Sequence, residues 1–244
     1  MGKTAKIMFW ALVLVVACIS TTFAAQQRVD KIGTTIKKLN VHANPSSESP
    51  LIGNLPKGVE VRLLDIDDEW YQIRYENKNG YVYGGYVENP RIETNAVVLG
   101  SFTTEYGPYE FARNYNIRKA AKNFEGLVVK PGQIISFNDL NGEASLINGY
   151  REAPTQVNGK IVMGEGGGIC QLTTTLYNAV VQAGLEVLER HEHEVPVRYV
   201  NAGQDATVAF GFLDFVFKNS LDYAVKIVTL AGYDTITVEI IKAE

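Results

Sequence analysis

Short apolar runs alternate with polar, turn-forming stretches between residues 28 and 89. The runs are broken at regular spacing by "NPSS", "LPKG", "DIDDE", "NKNG" and "GG". This rhythm is typical of a small all-β barrel, in which short strands are separated by turn residues. In "YENKNGYVY" the pattern predicts a hairpin with Asn79-Gly80 at its tip. We therefore expect residues 28–90 to form a barrel domain.

The pattern changes after a polar join, "NPRIET", at residues 89–94. Apolar positions recur at helical spacing in "FARNYNIRKAAKNFEG" and in "LTTTLYNAVVQAGLE", which predicts two helices. The second helix is expected to start at or near Cys170 and to end at Gly184, since glycine is a common helix stop.

Patterns typical of strands surround these helices. "AVVLGSFTTEY" predicts a strand, and "LVVKPGQIISFND" predicts a strand pair with a turn at Pro131-Gly132. "EVLERHEHEVPVRYV" and "ATVAFGFLDFVFKN" alternate as strands do, and "YAVKIVTLAGYDTITVEII" predicts a closing hairpin. Residues 96–244 are expected to form one mixed domain, so the fold class is α+β, with a small all-β barrel followed by a mixed α+β domain.

The first residues have the pattern of an export signal. A short basic head precedes the apolar run "IMFWALVLVVA", which is too short to span a bilayer and has the length of a signal h-region. "VVAC" resembles a lipobox that would place a lipid on Cys18, "TFA" before Ala25 resembles a secretory cleavage site, and a retained anchor is the third interpretation. We expect residues 1–25 to be a signal peptide, or a lipoprotein signal ending before Cys18. The rest would act in the cell envelope or outside the cell, with a lipid on Cys18 as its sole membrane contact.

Charge and cysteine content narrow the function. The 244 residues carry a formal net charge of −4, which gives no electrostatic reason to expect a nucleic-acid partner. The chain has two cysteines, so the exported protein retains Cys170 and at most a lipidated Cys18, and no internal disulfide is expected. A single thiol on an exported protein calls for an explanation.

Cys170 follows a glycine-rich loop in "GEGGGICQLTTTLYNAV" and stands at the start of a predicted helix. Glycines let the backbone approach a ligand closely, and the unpaired amides and dipole of a helix start stabilise negative charge. A thiolate placed there has a lowered pKa and is nucleophilic. The amides from Gly168 to Gln171 could also hold an oxyanion, so the arrangement indicates acyl transfer by a cysteine.

A cysteine nucleophile needs a proton acceptor, and two of the three histidines follow it in "ERHEHEVP". On a strand, residues i and i+2 point to the same face, so either His191 or His193 could return to the helix start. Asp205 or Asp214 would then orient the imidazole, as the third member of a triad does.

Other interpretations of these residues stay open at this point. Cys170 could be a small buried hydrophobe, and the His-x-His pair could be an exposed charged face. Both histidines, Cys170 and an aspartate would satisfy zinc, although no third ligand stands at a diagnostic spacing. The glycine loop lacks the G-x-x-x-x-G-K-[ST] spacing of a phosphate loop. We expect neither a metal nor a cofactor.

The predicted barrel resembles the bacterial SH3 (SH3b) family. The resemblance lies in the order "LNVHANPS…IGNLPKGVEVRLLD…EWYQIRYENKNGYVYGGYV". Modules of this family commonly bind cell-wall peptidoglycan. The resemblance implies a groove that Trp70, Tyr71, Tyr81, Tyr83 and Tyr86 could line, with Trp70, Tyr81 and Tyr83 as the wall-binding candidates. The alternative is that these rings fill the small barrel.

The second domain closely resembles the VanW domain, first known beside glycopeptide-resistance genes. The resemblance covers residues 96–241. It lies in "GGGICQLTTTLYNAVVQAGLEVLERHEHEVPVRYVNAGQDATVAFGFLDFVFKN", together with "ARNYNIRKAAKNFEGLVVKPGQIISFND" and "GYREAP" upstream. It implies peptidoglycan L,D-transpeptidation with the cysteine as nucleophile.

The resemblance also assigns roles to individual residues. Cys170 would be the nucleophile, His193 the preferred base with His191 second, and Asp205 the orienting acid. Glu194 stands where the family usually has a serine, which leaves that serine's role in question here. The loop candidates are Gly167, Gly168, Ile169 and Gln171. Tyr177 and Tyr199 also fall on family positions and are substrate-binding candidates.

Arginines are candidates to grip stem carboxylates, with a solvated surface charge as the alternative for each. They are Arg113, Arg118, Arg151, Arg190 and Arg198, of which Arg113 and Arg151 are the preferred substrate contacts.

The function expected from these resemblances is an exported peptidoglycan-modifying enzyme. It would be an L,D-transpeptidase that forms 3–3 cross-links through a cysteine thioester, with stem peptides as partners and the barrel as its wall-binding module. The alternative is a non-catalytic cell-wall-binding or glycopeptide-resistance accessory protein.

Overall fold

A computed structural model describes residues 30–92, 96–157 and 159–243 of the chain. The predicted signal segment, residues 1–25 with Cys18, lies outside the described residues. The described chain forms a strand-rich barrel followed by a mixed region of helices and strands, which confirms the α+β class and the order of the two parts.

The barrel is one antiparallel sheet in the order β3-β2-β6-β5-β4-β1-β7. Its strands are β1 Lys31–Thr34, β2 Leu39–His42, β3 Leu51–Leu55, β4 Glu60–Asp67, β5 Trp70–Tyr75, β6 Lys78–Tyr83 and β7 Arg91–Ile92. Alternate strand positions point inward, as β4 and β5 illustrate with buried Val61, Leu63, Tyr71 and Ile73. A 3-10 turn, Gly84–Tyr86, closes the barrel after β6.

The β5–β6 hairpin turns earlier than the sequence predicts. Its central residues are Glu76 and Asn77, with φ of 43° and 65°, whereas Asn79 and Gly80 lie within β6. The prediction of an Asn79-Gly80 tip was therefore wrong. Gly80 has a packing role instead, because a Cβ at this position would lie 2.5 Å from Cγ1 of Val41.

The second region contains three helices and nine strands within its described residues. The helices are α1 Phe111–Lys122, α2 Phe137–Asn141 and α3 Ile169–Gln182. The strands are β8 Val98–Glu105, β9 Val128–Val129, β10 Ile134–Ser136, β11 Glu152–Val157, β12 Lys160–Glu165, β13 Glu186–Glu189, β14 Val216–Lys218, β15 Val225–Ala231 and β16 Thr235–Lys242. They form three sheets, ordered β8-β16-β15-β9, β10-β14-β13 and β11-β12.

Helix α3 is the central element of this region. It lies against β8 and β16 of the four-stranded sheet, and its residues Leu172, Leu176, Ala179 and Val180 belong to the main hydrophobic core. The apolar periodicity identified this face because residues three and four apart share one side of a helix. The start near Cys170 and the stop at Gly184, which has φ of +72°, are confirmed.

Two strand predictions need correction. The turn at Pro131-Gly132 connects β9 and β10, but β9 pairs with β15 and β10 pairs with β14, so the two strands do not form a hairpin. Strand β13 ends at Glu189, and most of residues 190–215 forms irregular loops. The backbone of these loops is held by side chains rather than by a strand ladder, as the site below demonstrates.

Candidate functional site

The glycine-rich loop brings Cys170 into the first turn of α3. Gly168 caps the helix with φ of 112°, a conformation that side chains rarely adopt. A Cβ on Gly167 would lie 2.5 Å from the carbonyl oxygen of Ala153, and one on Gly168 would lie 2.9 Å from Cγ of Arg113. The glycines are therefore required for the loop to lie between α1 and β11.

A buried asparagine on α1 fixes this loop. Asn116 Nδ2 donates to the carbonyl oxygens of Gly167 at 3.0 Å and Arg151 at 2.9 Å, and its Oδ1 accepts from the amide of Arg151 at 2.8 Å. Because Asn116 is fully buried, these bonds are shielded from water and hold the loop firmly.

The sulfur of Cys170 is half-buried and has polar neighbours. Its Sγ lies 3.3 Å from Oγ1 of Thr207 and 3.6 Å from the carbonyl oxygen of Val208. Burial alone would raise the pKa of Cys170, but the nearby imidazole of His193, together with Thr207 and the carbonyl of Val208, outweighs burial and lowers the pKa below the ordinary cysteine value. The surroundings thus favour a thiolate.

His193 and Asp205 complete a line of three side chains that starts at Cys170. Nδ1 of His193 lies 2.7 Å from Oδ2 of Asp205, which also accepts the backbone amide of His193 at 2.7 Å. The two side chains are 7% and 10% exposed. Burial opposes the charged form of His193, but the nearby thiol of Cys170 and the carboxylate of Asp205 raise its pKa overall. With Nδ1 directed to the acid, Nε2 is the nitrogen left to serve the sulfur.

The segment that carries Asp205 is clamped onto α3. Thr174 Oγ1 donates to the carbonyl oxygen of Ala206 at 3.0 Å and accepts the amide of Ala206 at 2.9 Å. Asn178 Nδ2 donates to the carbonyl oxygen of Gln204 at 2.7 Å. These bonds replace a strand ladder and keep Asp205 at a fixed distance from the start of the helix.

Arg190 supports Asp205 from the other side. Its Nε donates to the carbonyl oxygen of Asp205 at 2.7 Å, and its Nη2 lies 3.5 Å from Oδ1. The guanidinium also lies 4.8 Å from the ring centroid of Tyr177, whose other neighbour is Phe215. Tyr177, a predicted substrate contact, is therefore placed as a packing partner of Arg190 outside the cleft described below.

The other histidine and aspartate candidates lie apart from this line. His191 Nε2 is bonded to Oε1 of Glu189 at 2.8 Å. Asp214 accepts from Ser136 and from the amide of Asn138, which anchors the start of α2. Neither residue contacts Cys170. Across residues 30–92, 96–157 and 159–243, no group of three potential ligands is arranged to hold a metal ion.

Fewer amides are available for an oxyanion than the sequence predicts. The amides of Ile169 and Gln171 donate to the carbonyl oxygens of Gly166 and Gly168. Within the described part of the chain, the amides of Gly168 and Cys170 have no such acceptor. The side chain of Gln171 is buried and donates to Thr104 and Glu105. Gly168 and Cys170 are thus the loop amides that remain available for an oxyanion.

Cys170 and His193 open onto a cleft of about 1450 Å³, whereas Asp205 is buried and does not line it. Its walls are the hairpin β11–β12, the start of α1, and the loops at residues 192–199 and 207–213. Gln156 Nε2 reaches the carbonyl oxygen of Val195 at 3.5 Å, so hairpin and loop touch above the cleft. Arg113 and Tyr199 line the cleft, as predicted for substrate contacts, with the guanidinium 6.0 Å from the ring centroid.

Arg151, which was predicted to contact the substrate, lies outside the cleft. Its guanidinium lies 3.7 Å from the ring centroid of Tyr115, and Nη1 is 3.4 Å from Oδ1 of Asp68 in the barrel. It is not among the residues that line the cleft. Arg151 therefore connects the two domains.

The barrel has its own aromatic groove, of about 670 Å³, in which Trp70 and Tyr83 are joined by His42 and Tyr86. The rings meet edge to face, with centroids 5.2 Å apart for His42–Trp70, 5.9 Å for Trp70–Tyr83 and 5.1 Å for Tyr83–Tyr86. Tyr81, the third predicted wall-binding residue, does not line this groove and faces a different cavity.

Sequence reasoning did not predict which residues support the site: Asn116, Thr174, Thr207 and Arg190, the last of which was predicted only as a substrate contact. One signal was present in "QLTTTLY". All three threonines are fully buried, and three successive polar residues inside an apolar helix indicate polar contacts on every side of it. Arg190 and Thr207 have no comparable local signal, because their partners are distant in sequence.

Two known families match the chain. The family described as VanW like protein matches residues 112–241, which is more than half of the chain, and the bacterial SH3 domain matches residues 37–88. No helix among the described residues combines the length and apolarity that a membrane crossing requires.

Individual relatives agree with this match. An uncharacterised protein of Bacillus subtilis, YoaR, is 40% identical over 129 residues, which are 53% of this chain and 43% of that protein. The vancomycin B-type resistance protein VanW of Enterococcus faecalis is 33% identical over 119 residues, or 47% of this chain and 43% of that protein. The chain thus matches less than half the length of each of these relatives.

Solved structures resemble the chain only distantly. NlpC2 from Trichomonas vaginalis covers 88% of this chain and 72% of its own, with 11% identity and a TM-score of 0.28. That similarity is too weak to support an argument about fold or activity. The family match over residues 112–241 decides the question: the chain belongs to the VanW-like protein family, with a bacterial SH3 domain before its VanW-like domain.

Proposed function

We propose that this protein is an exported cell-wall enzyme, a cysteine-dependent peptidoglycan L,D-transpeptidase that forms 3–3 cross-links. Both of its families are usually associated with the cell wall. The observation that carries the proposal is the line Cys170–His193–Asp205, whose first two members line the cleft, with the pKa of Cys170 lowered and that of His193 raised. Shifts in these two directions favour the thiolate–imidazolium form of a cysteine nucleophile.

The reaction follows from this geometry. The Cys170 thiolate attacks the carbonyl carbon between the third and fourth residues of a stem peptide, and the amides of Gly168 and Cys170 receive the oxyanion. The C–N bond breaks, His193 gives its proton to the departing amine, and D-alanine leaves a thioester behind. The neutral amine of a neighbouring stem then attacks the thioester carbonyl. A C–N bond forms, the C–S bond breaks and the proton of the amine passes to His193, which restores the Cys170 thiolate and the imidazolium.

The charge of the cleft favours an amine as the second substrate. Five carboxylates line the cleft, and only two guanidiniums, those of Arg113 and Arg198, line it with them. The carboxylates are those of Glu105, Glu110, Glu165, Glu192 and Glu194. A negative cleft concentrates cations, and the ammonium of a neighbouring stem is a cation. This supports transfer to an amine over hydrolysis.

Arg113 is the candidate to hold the stem carboxylate near the sulfur. Its side chain is 15% exposed, and its nearest carboxylate, Glu110, lies 3.7 Å away, too far for a strong ion pair. The guanidinium therefore retains donors for a ligand. The aromatic groove around Trp70 would hold peptidoglycan while this chemistry proceeds.

The rival is a non-catalytic wall-binding or resistance accessory role. It draws on the name of the Enterococcus faecalis relative, a vancomycin B-type resistance protein. Under it, Cys170 would be dispensable, and the protein would bind sacculi without changing them.

Intact mass spectrometry separates the two roles. The purified protein is mixed with tetrapeptide muropeptides, and we expect an acyl adduct on Cys170 that disappears when an amine acceptor is added and 3–3 dimers form. Cys170→Ala should give neither adduct nor dimers, while Cys170→Ala and the wild type bind sacculi equally. Dimers from Cys170→Ala at the wild-type rate would exclude the proposed enzyme.

A further inference from the structure

A second cavity lies where the barrel meets α1. We call it the junction cavity; its volume is about 300 Å³, the lower end of the usual range for small-molecule pockets. The barrel contributes Asp65, Ile66, Asp67, Asp68, Gln72 and Tyr81, and α1 contributes Tyr115, Arg118, Lys119 and Lys122. Tyr81, the wall-binding candidate that is absent from the aromatic groove, belongs to this cavity.

The two walls carry opposite charges that only partly neutralise each other. Asp65 is paired with Nζ of Lys122 at 2.8 Å. Asp67 on the barrel wall and Lys119 on the helix wall form no ion pair with any residue that the structure describes. Lys119 makes only a longer contact, 5.2 Å from the ring centroid of Tyr150. One carboxylate and one ammonium are therefore available to a ligand.

Arg118 adds a buried positive charge to the helix wall. It is 6% exposed. Its Nη1 donates to the carbonyl oxygen of Asp68 and its Nη2 to that of Tyr233, both neutral acceptors. Its buried Nε has no partner among the described residues. Since no carboxylate among the described residues forms an ion pair with this guanidinium, the helix wall attracts negative charge.

The remaining polar groups suit a peptide. Gln72 Nε2 donates to the hydroxyl of Tyr81 at 2.9 Å, which leaves the Tyr81 hydroxyl as a donor and the Gln72 amide oxygen as an acceptor. The ring of Tyr115 is held in place by the guanidinium of Arg151, 3.7 Å from its centroid. A donor, an acceptor and two aromatic walls match a backbone amide and its flanking side chains.

We propose that the junction cavity binds a short zwitterionic peptide. Its amine lies against Asp67, and its carboxylate lies against Lys119 and Arg118. A neutral saccharide would pair with neither the Asp67 carboxylate nor the cations of Lys119 and Arg118. A peptide that carries an amine and a carboxylate therefore fits the cavity better. That the peptide is a wall stem rests on the proposed function, whereas its zwitterionic class rests on the cavity alone.

Calorimetric titration of the full chain carrying Cys170→Ala tests this proposal, since that change prevents turnover. The ligand is a synthetic stem tetrapeptide with a free side-chain amine and a free C-terminal carboxylate. Asp67→Asn and Lys119→Gln should each weaken one binding event by about tenfold or more, the usual effect of losing one charged hydrogen bond. The same tetrapeptide, acetylated at the amine and amidated at the carboxylate, should lose that event.

Asp222→Asn and Lys57→Gln are matched controls, because both residues are exposed and lie outside the cavity. They should leave binding unchanged, and thermal unfolding should confirm that all four variants fold. Equal binding of the blocked tetrapeptide, or no effect of either cavity variant, would overturn the proposal. The binding assay measures no catalysis, so the two proposals can fail separately. If the wild type cross-links stems but peptide binding does not depend on charge, the junction-cavity proposal is wrong and the enzyme proposal stands. If peptide binding depends on charge but the wild type forms no cross-links, the enzyme proposal is wrong and the junction-cavity proposal stands.

Discussion

The cysteine cleft and the aromatic groove of the barrel are built in different ways. In the cleft, reacting groups are fixed by buried hydrogen bonds, such as the 2.7 Å bond between His193 and Asp205. In the groove, half-buried rings rest on one another edge to face, with centroids 5.1 to 5.9 Å apart. Chemistry requires atoms held within a fraction of an ångström, whereas binding to a polymer tolerates adjustable surfaces. The loss of one atom should therefore matter far more in the cleft.

Asp205→Asn should have the largest effect. The amide matches the carboxylate in shape, but it cannot stabilise imidazolium and it can hold His193 in the wrong tautomer. We expect the cross-linking rate to fall by about 10³- to 10⁴-fold, as for the orienting aspartate of other triads. The measurement is the rate of dimer formation from tetrapeptide muropeptides. Asp222→Asn, which changes an exposed aspartate in the same way, should react like the wild type, and equal rates for both variants would contradict the triad.

The pH dependence of the cleft follows from the same network. Because the pKa of Cys170 is lowered and that of His193 is raised, the thiolate–imidazolium pair exists between two apparent pKa values that belong to the pair. The cross-linking rate should rise with pH as the thiol ionises and fall at higher pH as His193 loses its proton. The groove contains no member of this pair, so binding to sacculi should not follow the same profile.

Alkylation of the thiol measures this ionisation without any substrate. Iodoacetamide should react with Cys170 at pH values below the range of an ordinary cysteine. Thr207→Val removes the hydroxyl that lies 3.3 Å from the sulfur, so the alkylation midpoint should move to higher pH. A midpoint that stays in place would mean that Thr207 does not stabilise the thiolate.

The sequence predicted the loop before Cys170 better than it predicted the contacts that support that loop. The α3 periodicity and the glycine run predicted where Cys170 would lie, because both are local patterns. The path of residues 190–215 could not be predicted in this way. Its backbone is satisfied by Thr174, Asn178 and Arg190, and these contacts span 13 to 32 residues of sequence. Local alternation therefore predicted strands where long-range side-chain bonds form a loop.

The barrel gives a similar lesson on a smaller scale. Its turn rhythm predicted the strands, yet Asn79-Gly80 was assigned to the tip although Gly80 is needed against Val41. The sequence predicted that aromatic residues of the barrel line a groove, but it could not show which of them share one cavity. Tyr81 and Tyr83 share a strand face and still line different cavities, because α1 covers one end of the barrel.

Thr174→Val tests the support of the cleft and should have an intermediate effect. The substitution keeps the shape and removes both bonds to Ala206, leaving a buried amide and carbonyl without a partner. We expect the free energy of unfolding to fall by about 1–3 kcal/mol and the cross-linking rate to fall by about tenfold, since Asp205 becomes less well placed. Chemical denaturation and dimer assays measure the two effects. Thr237→Val, which loses one solvent-exposed bond to Thr103, should change stability by much less.

Trp70→Ala should have a smaller effect, limited to the groove. Its ring touches those of His42 and Tyr83, so its removal opens the centre of the groove. We expect the affinity for purified sacculi to fall by about tenfold, as for a central aromatic contact in an interface. Cross-linking of soluble tetrapeptides should not change, because Trp70 does not line the cleft. A loss of soluble cross-linking would mean that groove and cleft are not independent.

Tyr83→Phe should have the smallest effect, and it decides what Tyr83 does. The Tyr83 hydroxyl lies 2.7 Å from that of Tyr233, in the second domain, and both hydroxyls lie 3.3 Å from Oε1 of Glu69. The substitution removes the hydroxyl and keeps the ring in the groove. We expect a loss of about 0.5–1.5 kcal/mol in the free energy of unfolding with unchanged sacculus binding. Reduced sacculus binding at unchanged stability would instead mean that the Tyr83 hydroxyl contacts the ligand. Its contact with Tyr233 would then not stabilise the packing of the two domains.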